Sequence, residues 1–383
     1  ILCDILFSIF IRFPVKLLLR FQSISTSWKD IISEKEFKKA HRDQSRAVGL
    51  KKLLLRRKYS CNFVFRDLES LRLVMMSEEP LFPGKGFQYP EVVGSCDGLV
   101  LLKNPRAYKV YALLWNPSTR EYRIIECPYV KHYKHQQTYP HACGLCYDSK
   151  LDDYKVILIY ELFYAVYSLS NDSWTCKTSS AYPKLPPRIS RCYYCCEYRC
   201  PRGITTQDGL FWSMNDSIYR YQSVYTTSII LYFDATSNKV KKLPTSNIDF
   251  LAEDEYFGLS TIKGCLSLYG GKYMNKELHV WIMQRQDGWK RLMTIYNLPD
   301  ICKRFVLRTK FLYCTKNGEV VFVGIDDRLY IYYPERQQFV TILDAGVKFG
   351  DKFSIVTMCL DTLYFWRATV TRKRKQSMID LTT

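Results

Sequence analysis

The chain has 383 residues, of which 47% are hydrophobic, 24% charged and 15% aromatic, and its formal net charge is +19. These proportions supply enough apolar residues for a sizeable core. The sequence contains no run of roughly 20 apolar residues, which a membrane-spanning helix requires, so no membrane partner is expected. The length suits two domains, or one small module joined to a large one.

The positive charge is spread along the chain, with dense runs only at Lys51–Lys58 and Arg372–Lys375. Such an excess favours acidic partners or nucleic acid through long-range attraction. A dispersed excess is also typical of a solvated surface, which is the interpretation we favour. A nucleic-acid-binding protein is therefore kept as the alternative. The second run has two interpretations, a nuclear import signal or a solvated tail.

Residues 1–13 place large apolar side chains at three- and four-residue steps, which predicts one apolar face of an α-helix. Pro14 ends this helix and suits the first turn of a second, because its missing N–H is not needed there. A Ser/Thr-rich joint then offers N-caps for a third helix that carries Trp28, Ile31 and Ile32. Three such short helices bury too little surface to be stable alone. Their surplus of aliphatic residues indicates contact with another protein or, alternatively, packing on the following domain.

The segment RFPVKLLLRFQSISTSW (12–28) resembles the F-box of plant F-box proteins, and residues 1–28 follow the family pattern without a gap. Phe37 and His41 also stand where the family has phenylalanine and histidine. Leu2 replaces a family proline, and further departures from the pattern lie at Cys3, Phe10 and Phe13. The resemblance implies docking on a Skp-type adaptor. The change at Leu2 leaves open an F-box protein with a decayed adaptor contact that acts only as a binding module.

The residues assigned to the adaptor contact share large apolar or proline side chains on the first two predicted helices. They are Ile5, Leu6, Ile9, Pro14, Val15, Leu18 and Leu19. Trp28 is assigned instead to the interior of the helical bundle.

A repeated unit begins at about residue 92 and consists of a Gly-containing turn, two strands and a second hairpin. Gly98, Gly209, Gly264 and Gly318 mark the turn. Gly98 and Gly209 are separated by the length of two repeat units, whereas the later glycines are separated by one unit each, so one turn between Gly98 and Gly209 lacks its glycine. The missing turn is expected near residue 153, where Asp152-Asp153 stands. The second hairpins are predicted at 113–125, 167–178, 231–244, 280–292 and 331–342.

Repeats of this length with four strands each are typical of a β-propeller. Five units are countable, and a sixth is predicted by joining C-terminal strands (353–366) to the strand-like segment 61–69. A sandwich or two stacked barrels are the alternatives. The fold class expected is a small all-α three-helix module followed by an all-β propeller of about six blades. The predicted parts are a helical module at 1–45, a connecting segment at 46–90 that helps to complete the last blade, the propeller at 91–370 and a basic tail at 371–383.

The repeated region resembles the F-box-associated (kelch-like) domain of plant proteins, a group that includes the S-locus F-box proteins. The resemblance is carried by VGSCDGLVLL (93–102), LWNPSTREYR (114–123) and CYDSKLDDYKV (146–156). It implies a non-catalytic substrate-recognition subunit of an SCF-type E3 ubiquitin ligase in the cytoplasm or nucleus. The partners implied are the Skp-type adaptor, through it cullin and RING subunits, and an unidentified target protein.

The sequence contains none of the common phosphate-loop, serine-hydrolase or HExxH signatures, and no catalytic residue or cofactor is expected. Two groups have the residue types that bind zinc. Cys143 and Cys146 lie three positions apart on one predicted strand. Because successive side chains of a strand alternate between its two faces, these two are expected to point to opposite sides of the sheet, away from a shared metal. We therefore expect no metal, and we interpret the cysteines mostly as free thiols of a reducing compartment. The two groups are His132, His135, His141, Cys143 and Cys146, and Cys192, Cys195, Cys196 and Cys200.

Overall fold

In this computed structural model the described helices lie in the first part of the chain, and the described β-strands follow them. The structure describes residues 2–49, 51–57, 63–67, 73–76, 90–103, 111–129, 140–160, 163–178, 202–207, 209–220, 223–243, 256–271, 277–284, 288–298, 310–315, 317–323, 329–341 and 353–364. The Cys192–Cys200 group, His132, His135 and the basic tail lie outside these residues.

Four helices form the N-terminal module, one more than the sequence predicted. The fourth was missed because most of its side chains are polar. Its buried residues nevertheless recur at helical spacing, at Phe37, His41, Arg42 and Ser45. Gly49 ends it with φ of 75°, a left-handed conformation that glycine adopts without steric strain. The helices are α1 Leu2–Phe10, α2 Val15–Phe21, α3 Thr26–Ser33 and α4 Lys35–Val48.

The strands form six four-stranded antiparallel sheets, which confirms the prediction of a six-bladed propeller. Blades 1 to 5 are each built from four consecutive strands. Blade 1 is β4 Glu91–Cys96, β5 Leu99–Lys103, β6 Tyr111–Trp115 and β7 Tyr122–Glu126, and blade 2 is β8 Ala142–Asp148, β9 Asp153–Ile159, β10 Phe163–Ser168 and β11 Ser173–Thr178. Blade 3 is β12 Ile204–Thr205, β13 Leu210–Arg220, β14 Ser223–Asp234 and β15 Lys239–Lys242, and blade 4 is β16 Tyr256–Ile262, β17 Cys265–Gly271, β18 Leu278–Gln284 and β19 Gly288–Ile295. Blade 5 is β20 Lys310–Cys314, β21 Val320–Val323, β22 Leu329–Tyr333 and β23 Gln338–Thr341.

Blade 6 combines strands from both ends of the described chain. It contains β1 Lys51–Arg57, β2 Phe63–Asp67, β3 Leu73–Met76 and β24 Phe353–Leu360, in the order β24-β1-β2-β3. The basic run that starts at Lys51 is thus a strand, and its middle residues Leu53, Leu54 and Leu55 are buried. Residues 51–76, predicted as a connecting segment, supply three of the four strands of this blade. The predicted strand at 61–69 corresponds to β2, which pairs with β1 and not with β24 directly. It is β1 that pairs with β24.

The turns that mark the repeat lie between the first two strands of blades 1 to 5. Gly98, Gly264 and Gly318 have φ of 88°, 83° and 87°, a region that L-residues rarely adopt. In blade 2 Asp152 takes this conformation with φ of 51°, at the turn that the spacing predicted near residue 153. A left-handed residue therefore occurs at this turn in blades 1, 2, 4 and 5, as glycine in three of them and as aspartate in blade 2.

Side chains of adjacent blades interlock to form the core. Leu101 and Leu114 of blade 1, for example, pack with Leu145 and Leu158 of blade 2, and all four are at most 1% exposed. Asn116, fully buried, joins the ring to its closing segment by donating hydrogen bonds to the carbonyls of Thr362 (2.9 Å) and Tyr364 (3.0 Å). None of the described helices is both long and apolar enough to cross a membrane.

Candidate functional site

The helical module has a core of six buried side chains, five from its own helices and one, Leu363, from the segment that follows β24. Four partly buried aromatic rings pack against this core, those of Phe7, Phe13, Phe21 and Trp28. Trp28 packs edge-on against Phe10 and Phe21, with ring centroids 5.3 and 5.5 Å apart. Such contacts add to the hydrophobic gain of burial. Trp28 therefore lies within the bundle, as the sequence predicted. The buried core residues are Phe10, Val15, Leu18, Ile32, Phe37 and Leu363.

The predicted adaptor contact divides into surface and interior residues. Ile5 and Ile9 lie one helical turn apart on α1 and are 51% and 46% exposed. Pro14 is also exposed, at the N-cap of α2, and Leu6 and Leu19 are half-buried. The candidate adaptor surface is therefore formed by Ile5, Leu6, Ile9, Pro14 and Leu19.

Val15 and Leu18 differ from this surface, because they are 1% and 0% exposed. Their side chains point into the module and cannot meet a partner in this conformation, so their place is in the core. Leu2 begins α1, but its side chain lies outside the described part of the chain.

Arg42 of α4 joins the module to the propeller. Its side chain is 1% exposed, and its guanidinium carbon lies 4.3 Å from the ring centre of Tyr147 and 5.1 Å from that of Tyr364. Arg42 also donates hydrogen bonds to the hydroxyls of Tyr147 (3.1 Å) and Tyr154 (3.4 Å). A cation held over two aromatic faces and hydrogen-bonded at its edge has few alternative positions. We call this set of contacts the Arg42 joint. It includes Asp152, which pairs with Arg42, and Asp97, which accepts a hydrogen bond from Tyr154.

Carboxylates of the propeller balance the positive charge of α4. Asp152 lies 3.7 Å from Arg42 and 3.6 Å from both Lys35 and Lys39, and it accepts a 2.6 Å hydrogen bond from Tyr147. Burial by itself would raise the pKa of Asp152, but the Tyr147 hydrogen bond and the lysine and arginine charges outweigh it and lower that pKa. Burial, reinforced by the same hydrogen bond, raises the pKa of Tyr147 to about 12.

Arg46, one turn further along α4, pairs with a second carboxylate of the propeller. Its guanidinium donates two hydrogen bonds to Asp97, at the turn between β4 and β5. Tyr154 donates to the same carboxylate at 3.1 Å. The ion pairs to Asp152 and Asp97 anchor α4 to blades 1 and 2, which supports the alternative that the helices pack on the domain that follows them.

His41 connects α4 to the rest of the module. Its Nε2 lies 2.9 Å from the carbonyl oxygen of Phe13, so this nitrogen carries the proton and donates it. Burial lowers the pKa of His41, although the Phe13 carbonyl and the charge of Asp361 oppose that shift. His41 is therefore neutral at pH 7 and fixes the loop between α1 and α2, where the exposed Pro14 lies.

Comparison with known proteins identifies the family to which this architecture belongs. The family described as F-box associated beta propeller domain matches residues 57–365. The chain belongs to this family. Its curated relatives include F-box protein CPR1 of Arabidopsis thaliana, 25% identical over 86% of this chain and 81% of the relative. Putative F-box protein At3g16210 of the same plant is 23% identical over 90% of this chain and 82% of the relative. F-box/kelch-repeat protein At3g23880 is 26% identical over 77% of this chain and 79% of the relative.

Sequence reasoning on this F-box associated protein missed the Arg42 joint. The signal was present, since Phe37, His41, Arg42 and Ser45 form one stripe of a helix. A charged residue within such a stripe is normally assigned to the surface, and nothing local in the sequence links it to Tyr147 or Tyr364.

The remaining candidate sites are weaker. The described residues contain no group of three or more His, Cys, Asp or Glu side chains placed to hold a metal ion. Cys143 and Cys146 point to different core clusters, on opposite faces of β8. The cavity beside the inner strands β4, β16 and β24 has a volume of about 70 Å³, smaller than ordinary ligand sites.

Some of the arginine and lysine side chains that carry the positive charge are buried. Arg42, Arg66, Lys103 and Lys155 are all at most 4% exposed. Lys155, for example, donates to Asp148 at 2.7 Å and to Asn238 at 2.8 Å, which ties blade 2 to blade 3. These four charges are not available for contact with a nucleic-acid backbone.

Proposed function

We propose that this protein is the substrate-recognition subunit of an SCF-type ubiquitin ligase, acting in the cytoplasm or nucleus. The helical module docks on a Skp-type adaptor, which connects it to cullin and RING subunits, and the propeller binds a target protein. The observation that carries the proposal is the exposure of Ile5 and Ile9 on α1 of a module that closely resembles an F-box. Exposed aliphatic side chains in a row are typical of a surface that a partner covers.

The contribution to ubiquitin transfer is proximity, with no bond chemistry in this subunit. A target held on the propeller meets a ubiquitin-loaded enzyme at a high effective concentration. The Arg42 joint supports this role, because a rigid connection between module and propeller keeps the target at a defined position relative to the adaptor.

The test is co-expression of the full chain with a plant Skp-type adaptor, followed by affinity capture and gel filtration. We expect a stoichiometric complex from the unchanged chain. The double variant Ile5→Ala/Ile9→Ala is expected to lose the adaptor while its melting temperature stays unchanged, because both side chains are already exposed.

The matched control is Ile124→Ala/Val340→Ala, which removes two aliphatic side chains of similar exposure, 46% and 48%, from β7 and β23 of the propeller. It should retain the adaptor. Failure of the unchanged chain to bind any adaptor would support the decayed-contact alternative. Equal capture of both double variants would place the docking surface elsewhere. Leu18→Ala is unsuitable here, because it disturbs the core of the module and confounds folding with binding.

A further inference from the structure

The outer strands of blades 3 and 4 carry a concentration of positive charge. These strands, β15 and β19, together contain five basic residues and no acidic residue. The described outer strands of the other four blades, β3, β7, β11 and β23, contain two basic residues and one acidic residue. Among these strands, positive charge is therefore concentrated on two adjacent blades. The five basic residues are Lys239, Lys241, Lys242, Lys290 and Arg291.

Two of these cations lie over one aromatic cluster between the blades. Tyr232 of β14 packs in the same hydrophobic cluster as Trp281 of β18 and Trp289 of β19. The Lys241 ammonium nitrogen lies 5.7 Å from the ring centre of Tyr232, and the Arg291 guanidinium carbon lies 5.9 Å from that of Trp281. Since both rings belong to one cluster, the two cations lie on either side of the boundary between blades 3 and 4.

Lys239 adds a third cation on the blade 3 side. It is exposed and stands two positions before Lys241 on β15, and side chains two positions apart share a face of a strand. We call Tyr232, Lys239, Lys241, Trp289 and Arg291 the blade 3–4 surface.

Only part of the charge on this surface is neutralised. Asp234, at the end of β14, lies 3.0 Å from Lys241 and pairs with it. Within the part of the chain that the structure describes, neither Lys239 nor Arg291 forms an ion pair. Three cations thus meet one carboxylate.

The boundary between blades 1 and 2 shows the difference. Arg123 on the outer strand β7 lies 5.8 Å from the ring centre of Tyr167, an arrangement like that of Arg291, but it also pairs with Asp172. There the propeller supplies the carboxylate for its own arginine. At the blade 3–4 surface the matching carboxylates can come from a partner.

An apolar side chain lies beside these charges. The pairing of β18 with β19 shifts register between Val280 and Trp281, which makes Leu292 an extra residue of β19. Such bulges are common at sheet edges and re-aim side chains. Leu292 is 43% exposed next to Arg291, and Trp289 is partly buried. Tryptophan and arginine are enriched among the residues that contribute most to protein–protein binding.

We propose that the blade 3–4 surface binds an acidic segment of the target protein. Carboxylates of that segment pair with Lys239 and Arg291, and an apolar side chain of the segment covers Trp289 and Leu292. The inference rests on the proposed function, because it assigns the part of the propeller that holds the target.

The charges favour a protein segment over a nucleic acid. Asp234 lies within the surface and would repel a continuous row of phosphates. A protein segment can place separate carboxylates beside Lys239 and Arg291 and leave the position next to Asp234 uncharged. RNA is therefore the competing ligand in the test.

The test is fluorescence anisotropy of the full chain with three labelled probes. They are a short peptide with four glutamates around a leucine–phenylalanine pair, the same peptide with glutamine for glutamate, and a single-stranded oligouridylate of equal length. We expect the acidic peptide to bind with a Kd below about 100 μM and more tightly than either other probe. Its affinity should fall as salt is added, because screening weakens the contacts with lysine and arginine.

Paired variants locate the site. Lys239→Gln/Arg291→Gln should weaken binding of the acidic peptide by roughly tenfold or more. The control Lys150→Gln/Arg336→Gln removes the same two charges from exposed positions in blades 2 and 5 and should bind as the unchanged chain does. Leu292→Asn, which changes no charge, should weaken binding by about threefold and leave the salt dependence unaltered. The melting temperature of each variant establishes that it is folded.

Adaptor capture separates this inference from the proposed function. Lys239→Gln/Arg291→Gln should capture the Skp-type adaptor as fully as the unchanged chain, because both residues lie on the propeller. Peptide binding without adaptor capture would refute the proposed function and leave the blade 3–4 surface as a protein-binding site. Adaptor capture without peptide binding would refute the inference alone.

Three outcomes would overturn the inference. The first is the absence of peptide binding, which would mean that the lysines of β15 only protect an open sheet edge. Binding that appears only after neutralisation of Asp249 and Glu253–Glu255 also counts here, because the chain's own acidic residues would then be the occupant. The second is equal affinity of the two double variants, which would show general attraction to the net charge of +19. The third is binding of oligouridylate at least as tight as that of the acidic peptide, which would identify a nucleic-acid surface.

Discussion

The helices and the blades of this chain bury their side chains in different ways. In the propeller, residues such as Leu101 and Leu145 are enclosed between two neighbouring blades and are 0% exposed. In the helical module many apolar side chains, Trp28 and Phe21 among them, are only partly covered, and the core includes Leu363 from outside the helices. The module thus depends on the propeller for part of its core, whereas the propeller closes its ring largely with its own strands. Variants that affect one region and not the other test this asymmetry.

The largest expected effect is at the turn where the ring closes. A Cβ atom added at Gly98 would lie 2.7 Å from the Leu360 carbonyl oxygen and closer still to the Thr362 methyl group. Gly98→Ala should therefore lower the free energy of unfolding by about 4 kcal/mol, through overpacking and left-handed strain together. Chemical denaturation measures this change.

Gly318→Ala is the matched control for Gly98→Ala. Its φ is 87° against 88°, but nothing lies within 4 Å of the added Cβ. Only the backbone strain of about 1–2 kcal/mol should remain. Equal effects of the two substitutions would mean that the closing segment does not pack on Gly98.

Leu18→Ala should have the next largest effect, confined to the module. Leu18 is 0% exposed, and its truncation should cost about 3 kcal/mol through lost burial and the resulting cavity. Hydrogen exchange should show loss of protection in α1 to α4, with the amides of blades 3 and 4 unchanged. Ile9→Ala, at a 46% exposed position of the same module, should change protection by less than about 0.5 kcal/mol. Loss of protection throughout the propeller would contradict the asymmetry.

Arg42→Ala tests the connection between the two regions. Its loss removes hydrogen bonds to two tyrosines and leaves Asp152 without one of its cations, and it should lower the stability of the module by about 2 kcal/mol. Limited proteolysis of the loop between α4 and β1 should become faster.

Arg123→Ala is the matched control for Arg42→Ala, because Arg123 stacks on Tyr167 and pairs with Asp172 within the propeller alone. It should leave cleavage after α4 unchanged. Equal acceleration by both variants would show that Arg42 has no special part in docking.

The smallest effect is a dependence on pH. Burial lowers the pKa of His41 below its usual value of 6.5 in the folded state, so the unfolded chain binds the proton more readily. This contribution to stability is complete above pH 6.5 and declines as the pH falls from there toward the folded-state pKa. Hydrogen exchange of α4 at pH 7.5 and 5.5 should show less protection at the lower pH. In His41→Gln this difference should shrink, and an unchanged difference would assign it to other groups.

The parts of the fold that repeat could be predicted from the sequence. Turn glycines at regular intervals and paired strands identify five blades, because each blade is built from consecutive residues whose pattern is local. Blade 6 was only partly foreseen. Its strand β1 begins with two lysines, and the charge of Lys51 and Lys52 concealed the buried Leu53–Leu55 behind them.

Surface and interior positions among the residues predicted for the adaptor contact could not be told apart, for a similar reason. Apolar spacing shows which residues of α1 and α2 share a helix face, but the face that is covered depends on where Leu363 and Phe37 lie. Val15 and Leu18 therefore could not be separated from Ile5 and Ile9. The Arg42 joint depends on contacts with Tyr147 and Tyr364, more than 100 positions away, which no local pattern reports.

The pairing of β1 with β24 affects how the protein is made. During translation α1 to α4 and β1 leave the ribosome long before Leu360, which pairs with Lys51, and Leu363, which enters the helical core. Until then β1 can pair with β2, but its other edge, with a leucine-rich centre, stays open as a ready site for chaperones or for aggregation. A truncated product that lacks residues 353–364 would keep this edge open and the helical core incomplete. Proteolysis should remove such products, so that chains with an unclosed propeller would not accumulate.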